Sequence, residues 1–255
     1  MSLILIGLIT GFFAGFICGL FGMGGGSLMV PAIYHFFGFT FPTESRMKIS
    51  IGTSLLVIIF SSISAIITYF KNRKIKTNLI ILIVPSGILG SQFGAFLTSR
   101  LDDETVKYIF IFLITFLGLR MFFAPENKEN EISDNNSYNK LSGILIGFFS
   151  GLISGLCGVG GAVLIIPLLY LFLKIPIHYA IGTALIAILF NAISGSIAYM
   201  VRNLVNIKIG LLLALTSIIG APLGAKIGIN LPKKTMRKIF SIILILSGIS
   251  VLFRK

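Results

Sequence analysis

The feature that most constrains this chain is a series of long segments without Asp, Glu, Lys or Arg. A hydrocarbon core of about 30 Å is crossed by roughly 20 helical residues, so such segments are typical of membrane-spanning helices. Only 11% of the residues are charged, whereas soluble domains have about a quarter. This shortage of polar groups excludes a soluble globular enzyme. The uncharged segments are 1–43, 49–70, 77–99, 141–173, 179–201 and 209–225, with shorter ones at 108–119 and 239–253.

The positive charge lies in short clusters between the apolar segments. The chain has 21 Lys and Arg against 8 Asp and Glu, a net charge of +13. A nucleic-acid-binding protein would gather this charge on one face. Basic clusters in loops are instead typical of membrane proteins, whose cytoplasmic loops are positive. We therefore expect a multi-pass protein in a lipid bilayer, with no nucleic-acid partner.

Two of the uncharged segments are too long for a single crossing. At 1.5 Å per residue, one helix over 141–173 would be about 50 Å long, so we expect it to break within the membrane. Both long segments contain a glycine cluster followed by a proline, GMGGG at 22–26 before Pro31 and GVGG at 158–161 before Pro167. Glycine costs a helix about 1 kcal/mol and proline about 3. The sequence thus predicts two broken helices.

The two breaks belong to an internal repeat that covers nearly the whole chain. A shift of 136 residues places 7–31 on 143–167 with thirteen identities. After the prolines the shift becomes 130, because the first copy has six more residues there, and IGT at 51–53 then meets IGT at 181–183. We expect two homologous membrane halves. They are 1–124 and 141–255, joined by the polar linker 125–140.

The relative orientation of the halves depends on how often each one crosses the membrane. Four helices per half would make the halves parallel, whereas five, counting the segment after each break as a return helix, would invert them. Two basic loops, 71–76 and 233–238, occupy different positions in their repeats. Only the odd number places both in the cytoplasm. We favour inverted halves, in an all-α fold of about 8–10 transmembrane helices.

The broken helices also provide a candidate binding site. A helix that begins inside the membrane has unpaired N–H groups and the positive end of its dipole, which together attract an anion. Two such ends, one from each half, would hold one small oxyanion. Polar side chains in the apolar segments add possible hydrogen bonds. The candidates are Ser27, Thr53, Ser61, Thr183 and Asn191, with Ser61 and Asn191 at matching repeat positions.

Packing offers a different explanation for the same residues. Glycines that recur every four residues, at 7–19 and at 143–155, allow helices to approach closely in lipid. The glycine clusters would then be flexible bends. Buried hydroxyls often bond to the preceding turn of their own helix. The binding hypothesis therefore depends on whether the two breaks meet.

The residue types that metal sites and enzymes need are scarce or badly placed. Cys18 and Cys157 lie inside apolar segments without His or Cys at ligand spacing, and we interpret them as packing residues. His35 and His178 do not align in the repeat, and all eight acidic residues lie in or beside loops. We expect no cofactor, no metal site and no catalytic residue. We also expect no carboxylate relay for protons inside the membrane.

The motifs GLFGMGGGSLMVP and GLCGVGGAVLIIP, together with IGTSL and IGTAL, resemble the TauE/SafE family of sulfite and organosulfur anion transporters. The length, the duplication and the polar central loop are also similar. The resemblance implies an inner-membrane permease that moves sulfite, sulfoacetate, thiosulfate or a similar anion, often outward. It further implies that Gly24, Gly25, Gly26, Gly160 and Gly161 lie next to the substrate. Ala162 replaces the third glycine in the second copy, which predicts a less open second break.

We therefore predict a permease that binds a small sulfur-containing anion between its halves and exposes it alternately to each side. The membrane potential favours export of an anion by about 2.3 kcal/mol per charge per 100 mV. A membrane assembly or scaffold protein without transport activity is the alternative. An intramembrane enzyme is disfavoured, because no nucleophile and base stand at a suitable spacing. The oligomeric state is left open.

Overall fold

The structure is a computed structural model that describes residues 3–22, 25–72, 75, 77–123, 140–171, 173 and 175–252. Within these ranges the chain forms ten α-helices and two short 3-10 turns, without a β-strand. Seven of these helices are long and apolar enough to cross a membrane, which confirms the predicted all-α membrane fold. The helices are α1 (Leu3–Phe21), α2 (Gly26–Phe36), α3 (Arg46–Lys71), α4 (Thr77–Arg100), α5 (Asp103–Phe122), α6 (Lys140–Cys157), α7 (Ala162–Leu171), α8 (Ile177–Met200), α9 (Ile207–Asn230) and α10 (Lys233–Leu252).

Helices α1 and α6 end at the two glycine clusters, as the sequence predicts. We call the described residues of 22–25 break 1 and residues 158–161 break 2. Their backbone is left-handed, with φ between 64° and 83° at Gly22, Gly25, Gly158, Gly160 and Gly161. An L side chain would be strained in this conformation, so these positions favour glycine. The short helices α2 and α7 begin immediately after the breaks.

Glycine ladders bring α1 against α9 and α6 against α4. Small residues let helix backbones approach closely, which drives helix association in lipid. In both pairs the residue numbers rise together along the contact, so the paired helices are parallel. The pairs are Gly11 with Leu213, Gly15 with Ser217, and Gly19 with Ala221; then Gly147 with Ile83, Gly151 with Gly87, and Gly155 with Ser91. The first helix of each five-helix group therefore packs against the fourth helix of the other.

The long helices α3 and α8 form the interior of the bundle and run antiparallel. Gly52 contacts Tyr199, and Gly195 contacts Leu55. Within their spanning windows, 61% of α3 and 72% of α8 are buried, against 28% of α5. Helices α5 and α10 pack on each other at the periphery. Both breaks lie against this interior pair of helices, α3 and α8.

Candidate substrate-binding site

The two glycine breaks meet inside the bundle. Gly26, the first residue of α2, lies against break 2, and a Cβ at Gly26 would be 2.5 Å from the Val159 Cα. The side chains of Ile58 from α3 and Ile188 from α8 flank this contact. A Cβ at Gly26 would be 2.8 Å from Ile58, and one at Gly160 would be 2.6 Å from Ile188. Residues from both halves thus surround one buried region.

Both short helices begin at this contact. In α2 the first intrahelical hydrogen bonds run to the carbonyl oxygen of Gly25, and in α7 they run to that of Gly161. The N–H groups in the first turn of a helix have no acceptor within that helix. The helix dipole adds about half a positive charge at the same end. Two positive helix ends therefore lie in the same buried part of the molecule.

Ser54 connects α3 to break 2. Its hydroxyl lies 2.7 Å from the carbonyl oxygen of Gly158 and 2.8 Å from that of Ile51, and donates its proton to this pair of acceptors. Ser54 belongs to the polar side chains of the apolar segments that could supply hydrogen bonds, but not to the five candidates chosen for the site. The helical period gives a signal for it, because Ser54 precedes Ser61 by two turns and shares its helix face. The side chain that reaches break 2 is therefore Ser54, next to the predicted Thr53.

Asn191 lies in α8 beside break 2 and is fully buried. Its Nδ2 is 3.5 Å from the Gly160 carbonyl oxygen, and it would be 3.2 Å from a Cβ at Gly161. Its Oδ1 has no hydrogen-bond partner and occupies the space that a side chain at Gly87 would take. An unsatisfied buried acceptor costs about 1–3 kcal/mol. Such a group in a native fold calls for a ligand or a water molecule.

The other predicted side chains are buried but differ in their contacts. Ser27 and Thr183 are buried in α2 and α8. The Ser61 hydroxyl donates to the carbonyl oxygen of Ile58 at 3.2 Å, within its own helix. The Thr53 hydroxyl accepts a hydrogen bond of 2.9 Å from the N–H of Asn206, in the connection from α8 to α9. Thr53 is thus engaged away from the breaks, because one residue along a helix turns the side chain by about 100°.

The predicted glycines fall into two groups. Gly25, Gly26, Gly160 and Gly161 are all buried and lie at the two breaks. Gly24 lies outside the described residues. The glycines that the resemblance places next to substrate are therefore gathered in one region, as far as the structure describes them.

Two buried tyrosines hold the helix ends that lead into the breaks. The Tyr69 hydroxyl donates to the carbonyl oxygen of Gly19 at 3.3 Å, and the Tyr199 hydroxyl donates to that of Gly155 at 2.7 Å. Both acceptors lie in the last turn of α1 or α6, where carbonyl groups have no intrahelical donor. The repeat alignment pairs the two tyrosines, but the sequence assigns them no role. Their contacts fix the positions at which the breaks begin.

The buried region contains only neutral polar groups. Among the described residues, the buried polar side chains other than tyrosine are serines, threonines and Asn191. No group of three His, Cys, Asp or Glu side chains that could hold a metal occurs in the part of the chain that is described. Cys18 and Cys157 are buried cysteines next to the breaks and are not joined in a disulfide. Any anion at the breaks would thus be held by backbone and side-chain dipoles.

Comparison with known proteins agrees with this architecture. The family model for the sulfite exporter TauE/SafE matches residues 7–251. The probable membrane transporter protein YunE of Bacillus subtilis is 31% identical over 99% of this chain and 98% of its own length. A probable membrane transporter protein of Methanocaldococcus jannaschii is 33% identical over 96% of this chain and 94% of its own length. No solved structure matches the chain. The chain belongs to the TauE/SafE family of multi-pass membrane transporters.

Proposed function

We propose that this transporter binds a small sulfur-containing anion at its two glycine breaks and exports it by alternating access. The observation that carries the proposal is the contact between Gly26 and break 2, which brings the positive ends of α2 and α7 together. Backbone N–H groups at helix ends are suited to oxyanions. Membership of the TauE/SafE family supports a sulfur oxyanion as the substrate class.

We propose further that the two halves are inverted copies of one unit. The counterpart helices α3 and α8 are antiparallel. Gly52 contacts Tyr199 and Leu55 contacts Gly195, so the residue numbers rise along α3 as they fall along α8. Helices α5 and α10 are antiparallel too, because Gly118 lies beside Ile245 and Gly248 beside Thr115. Copies related by an axis along the membrane normal would instead have parallel counterparts. The helix directions therefore support inversion.

Inversion also accounts for the positions of the two basic clusters, although the second, 233–238, lies in the first turns of α10 and not in a loop as predicted. Because α8 is antiparallel to α3, it ends on the side opposite to the end of α3. Helix α9 returns across the membrane, so the end of α3 at Lys71 and the start of α10 at Lys233 lie on the same side. Basic loops face the cytoplasm. Each break would then be approached from one side of the membrane, which is the arrangement that alternating access needs.

The described structure fits the closed stage of such a cycle. All of the described break residues are buried, and the halves touch directly at Gly26. Movement of one half relative to the other at this contact would expose the breaks to one side at a time. The buried side chains of the site, as far as the structure describes them, include no carboxylate that could exchange protons with the substrate. We therefore expect electrogenic export, driven by the membrane potential.

Efflux from proteoliposomes tests the proposed function. Vesicles are loaded with radiolabelled sulfite, and the voltage is clamped by potassium and valinomycin while the pH gradient is set independently. We expect efflux to increase as the interior becomes more negative and, with the interior pH held fixed, to be unaffected by the exterior pH at constant voltage. Efflux that ignores voltage but follows the proton gradient would refute electrogenic export. A scaffold protein would give no flux of any anion.

Two variants connect the flux to the breaks. Gly26→Val places a side chain where Ile58 and Val159 leave no room, and we expect it to abolish efflux. Phe112→Leu changes a side chain that is 67% exposed on α5 and should leave efflux intact. Equal efflux in wild type and Gly26→Val would show that the substrate passes elsewhere.

A further inference from the structure

We propose that two arginines at one end of the bundle, Arg100 and Arg202, bind the headgroup of an anionic phospholipid. Both guanidinium groups lie over the ring of Phe96. The guanidinium carbon is 5.0 Å from the centre of that ring in Arg100 and 5.9 Å in Arg202. We call these three residues the arginine clamp. The proposal concerns the outer surface of the bundle and is independent of the anion that the protein transports.

The clamp holds two positive charges side by side without a negative partner. The face of the Phe96 ring attracts each cation, but the two cations repel each other. Within the described part of the chain, neither arginine forms an ion pair with a carboxylate. The half that contains Arg202 has no acidic residue at all. An anion from outside the chain would therefore remove an uncompensated repulsion.

The acidic residues closest to Arg100 along the chain are already engaged. Asp102 accepts hydrogen bonds from the hydroxyl and the N–H of Thr105. Asp103 accepts hydrogen bonds from the N–H groups of Met47 and Lys48 at the start of α3. Both carboxylates thus serve to hold helix ends and not to neutralise the clamp.

The clamp lies at the membrane surface and on the outside of the bundle. Arg100 is the last residue of α4, and Arg202 follows the end of α8 by two residues. Phe96 is 42% exposed, and Leu89 and Phe93 on the same helix are more exposed still, as expected of side chains that face lipid. Long basic side chains near the ends of transmembrane helices reach the headgroup region. This position favours a lipid phosphate as the guest over a free anion.

The guanidinium groups can still donate hydrogen bonds to a guest. Arg202 uses Nη1 to donate to the carbonyl oxygen of Ala198 at 2.6 Å, and a guanidinium has five N–H donors. Its planar fork matches the two free oxygens of a phosphodiester. The headgroup of phosphatidylglycerol adds no positive charge to that phosphate, whereas the ammonium group of phosphatidylethanolamine would be repelled by the second arginine. We therefore expect the clamp to prefer anionic lipids.

Hydrogen bonds between α4 and α8 hold the two arginines in register. The Ser91 hydroxyl donates to the Asn191 carbonyl oxygen at 2.8 Å, and the Gln92 Nε2 donates to that of Ser194 at 2.9 Å. Gln92 precedes Phe96 by one turn and lies on the same face of α4. The helices that carry the clamp are thus fixed before a lipid binds, which lowers the entropic cost of binding.

The fold itself does not require the two arginines. The repeat places asparagine at both equivalent positions of the other half, Asn72 for Arg202 and Asn230 for Arg100. The Asn72 Nδ2 donates to the Thr68 carbonyl oxygen at 2.7 Å, just as Arg202 bonds one turn back along α8. These helix ends are therefore complete with a neutral side chain, and the positive charges have a separate purpose.

The side of the membrane agrees with such a purpose. Helix α3 ends at Lys71, and α4 returns from there across the membrane, so Arg100 lies on the opposite side. Basic residues are concentrated on the cytoplasmic side of membrane proteins. In the orientation proposed above, the clamp therefore lies in the outer leaflet, where a pair of arginines is not expected from topology alone.

Lipid titration of the detergent-solubilised protein tests the proposal. Bound lipids are counted by native mass spectrometry, with phosphatidylglycerol and phosphatidylethanolamine of identical acyl chains as probes. We expect the wild type to bind one phosphatidylglycerol more tightly than any further copy. We expect the first phosphatidylethanolamine to bind about fivefold more weakly.

Variants copied from the other half connect this binding to the clamp. Arg100→Asn and Arg202→Asn should each weaken phosphatidylglycerol binding about fivefold, and the double variant about 25-fold. Phe96→Leu keeps both charges but removes the ring, and should weaken binding about threefold. The matched control is Lys208→Asn, which removes one exposed positive charge at the start of α9 on the same side and should leave binding unchanged. Melting temperatures establish that each variant folds.

Equal affinity for the two lipids would overturn the inference, and so would a loss in Lys208→Asn as large as that in Arg100→Asn, because overall charge would then explain the binding. Unchanged affinity in the double variant would show that the arginines are merely solvated charges. Displacement of phosphatidylglycerol by sulfite at constant ionic strength would show that the clamp takes a free oxyanion and would overturn the lipid as its occupant. No transport is measured here, so the proposed function stands or falls separately.

Discussion

The hydroxyl of Ser54 donates a hydrogen bond across 2.7 Å to the carbonyl oxygen of Gly158. This bond joins α3 of the first half to the break of the second half, and both partners are buried. The repeat places Ala184 opposite Ser54, and alanine has no hydroxyl to form the same bond. At break 1, a Cβ added to Gly22 would lie against the apolar side chain of Ile181. A Cβ on Gly158 would meet Ile51, the counterpart of Ile181, in the same way, so break 2 differs from break 1 by the additional hydrogen bond.

The first prediction concerns this bond. In Ser54→Ala the Gly158 carbonyl oxygen loses its partner, which should destabilise the fold by about 1–3 kcal/mol. Break 2 should also open more often, and the buried thiol of Cys157 reports this opening through its rate of labelling by a maleimide. We expect faster labelling of Cys157 in Ser54→Ala, measured in a Cys18→Ser background. Unchanged labelling and an unchanged melting temperature would show that the bond contributes nothing.

The matched control for the first prediction is Ala184→Ser, which offers break 1 a hydroxyl at the counterpart position. It should slow the labelling of Cys18, measured in a Cys157→Ser background, without affecting break 2. If Ser54→Ala accelerates labelling of Cys18 and Cys157 equally, the change is global and the bond does not act on break 2 in particular.

The second prediction compares Gly26 with its counterpart, Ala162. A Cβ at Gly26 would be 2.5 Å from the Val159 Cα and 2.8 Å from Ile58, so Gly26→Ala should force the breaks apart. Overpacking of this kind costs about 1–3 kcal/mol. We expect Gly26→Ala to lower both the melting temperature and anion flux, and Ala162→Gly to preserve flux. A fully active Gly26→Ala protein would contradict the tight contact between the halves.

The helices and the breaks could be predicted from the sequence because strong local signals determine them. A hydrocarbon core requires long uncharged helices, and the glycine clusters at 22–26 and 158–161 leave those helices no regular way to continue. The left-handed backbone at Gly25 and Gly161 is the form that glycine adopts readily. The structure thus realises a pattern that the residue types contain.

The partners of individual polar side chains could not be predicted in the same way. Thr53 and Ser54 are adjacent and both polar, yet Thr53 binds the N–H of Asn206 and Ser54 binds Gly158. Which of them faces the break depends on the rotation of α3, and packing against α8 and α9 sets that rotation. The hydroxyl of Tyr199 is a similar case, because its acceptor, Gly155, is 44 residues away. Contacts between distant elements leave no local pattern in the sequence.

The third prediction concerns the tyrosines that hold the ends of α1 and α6. The bond from Tyr199 to Gly155 is 2.7 Å long and that from Tyr69 to Gly19 is 3.3 Å, so the first is the stronger. Removing a buried hydroxyl donor costs about 1–3 kcal/mol when its acceptor stays unpaired. We expect Tyr199→Phe to lower the melting temperature more than Tyr69→Phe. The reverse order would show that these hydroxyls do not determine the stability of the helix ends.

The fourth prediction is a pH dependence at the surface of the membrane region. Asp102 caps α5: its carboxylate accepts hydrogen bonds from the Thr105 hydroxyl at 2.7 Å and from the Thr105 N–H at 2.8 Å. These bonds, the hydroxyl first, lower the pKa of Asp102 below its ordinary value. The folded state therefore favours the carboxylate, and this contribution to stability is present above the unfolded-state pKa and lost as the pH falls through the folded-state pKa.

We expect the melting temperature in detergent to fall more steeply on acidification in the wild type than in Asp102→Asn, whose cap is neutral at every pH. The difference should shrink in high salt, because the group is exposed. Parallel melting curves for the two proteins from neutral to acidic pH would contradict the capping role of this carboxylate.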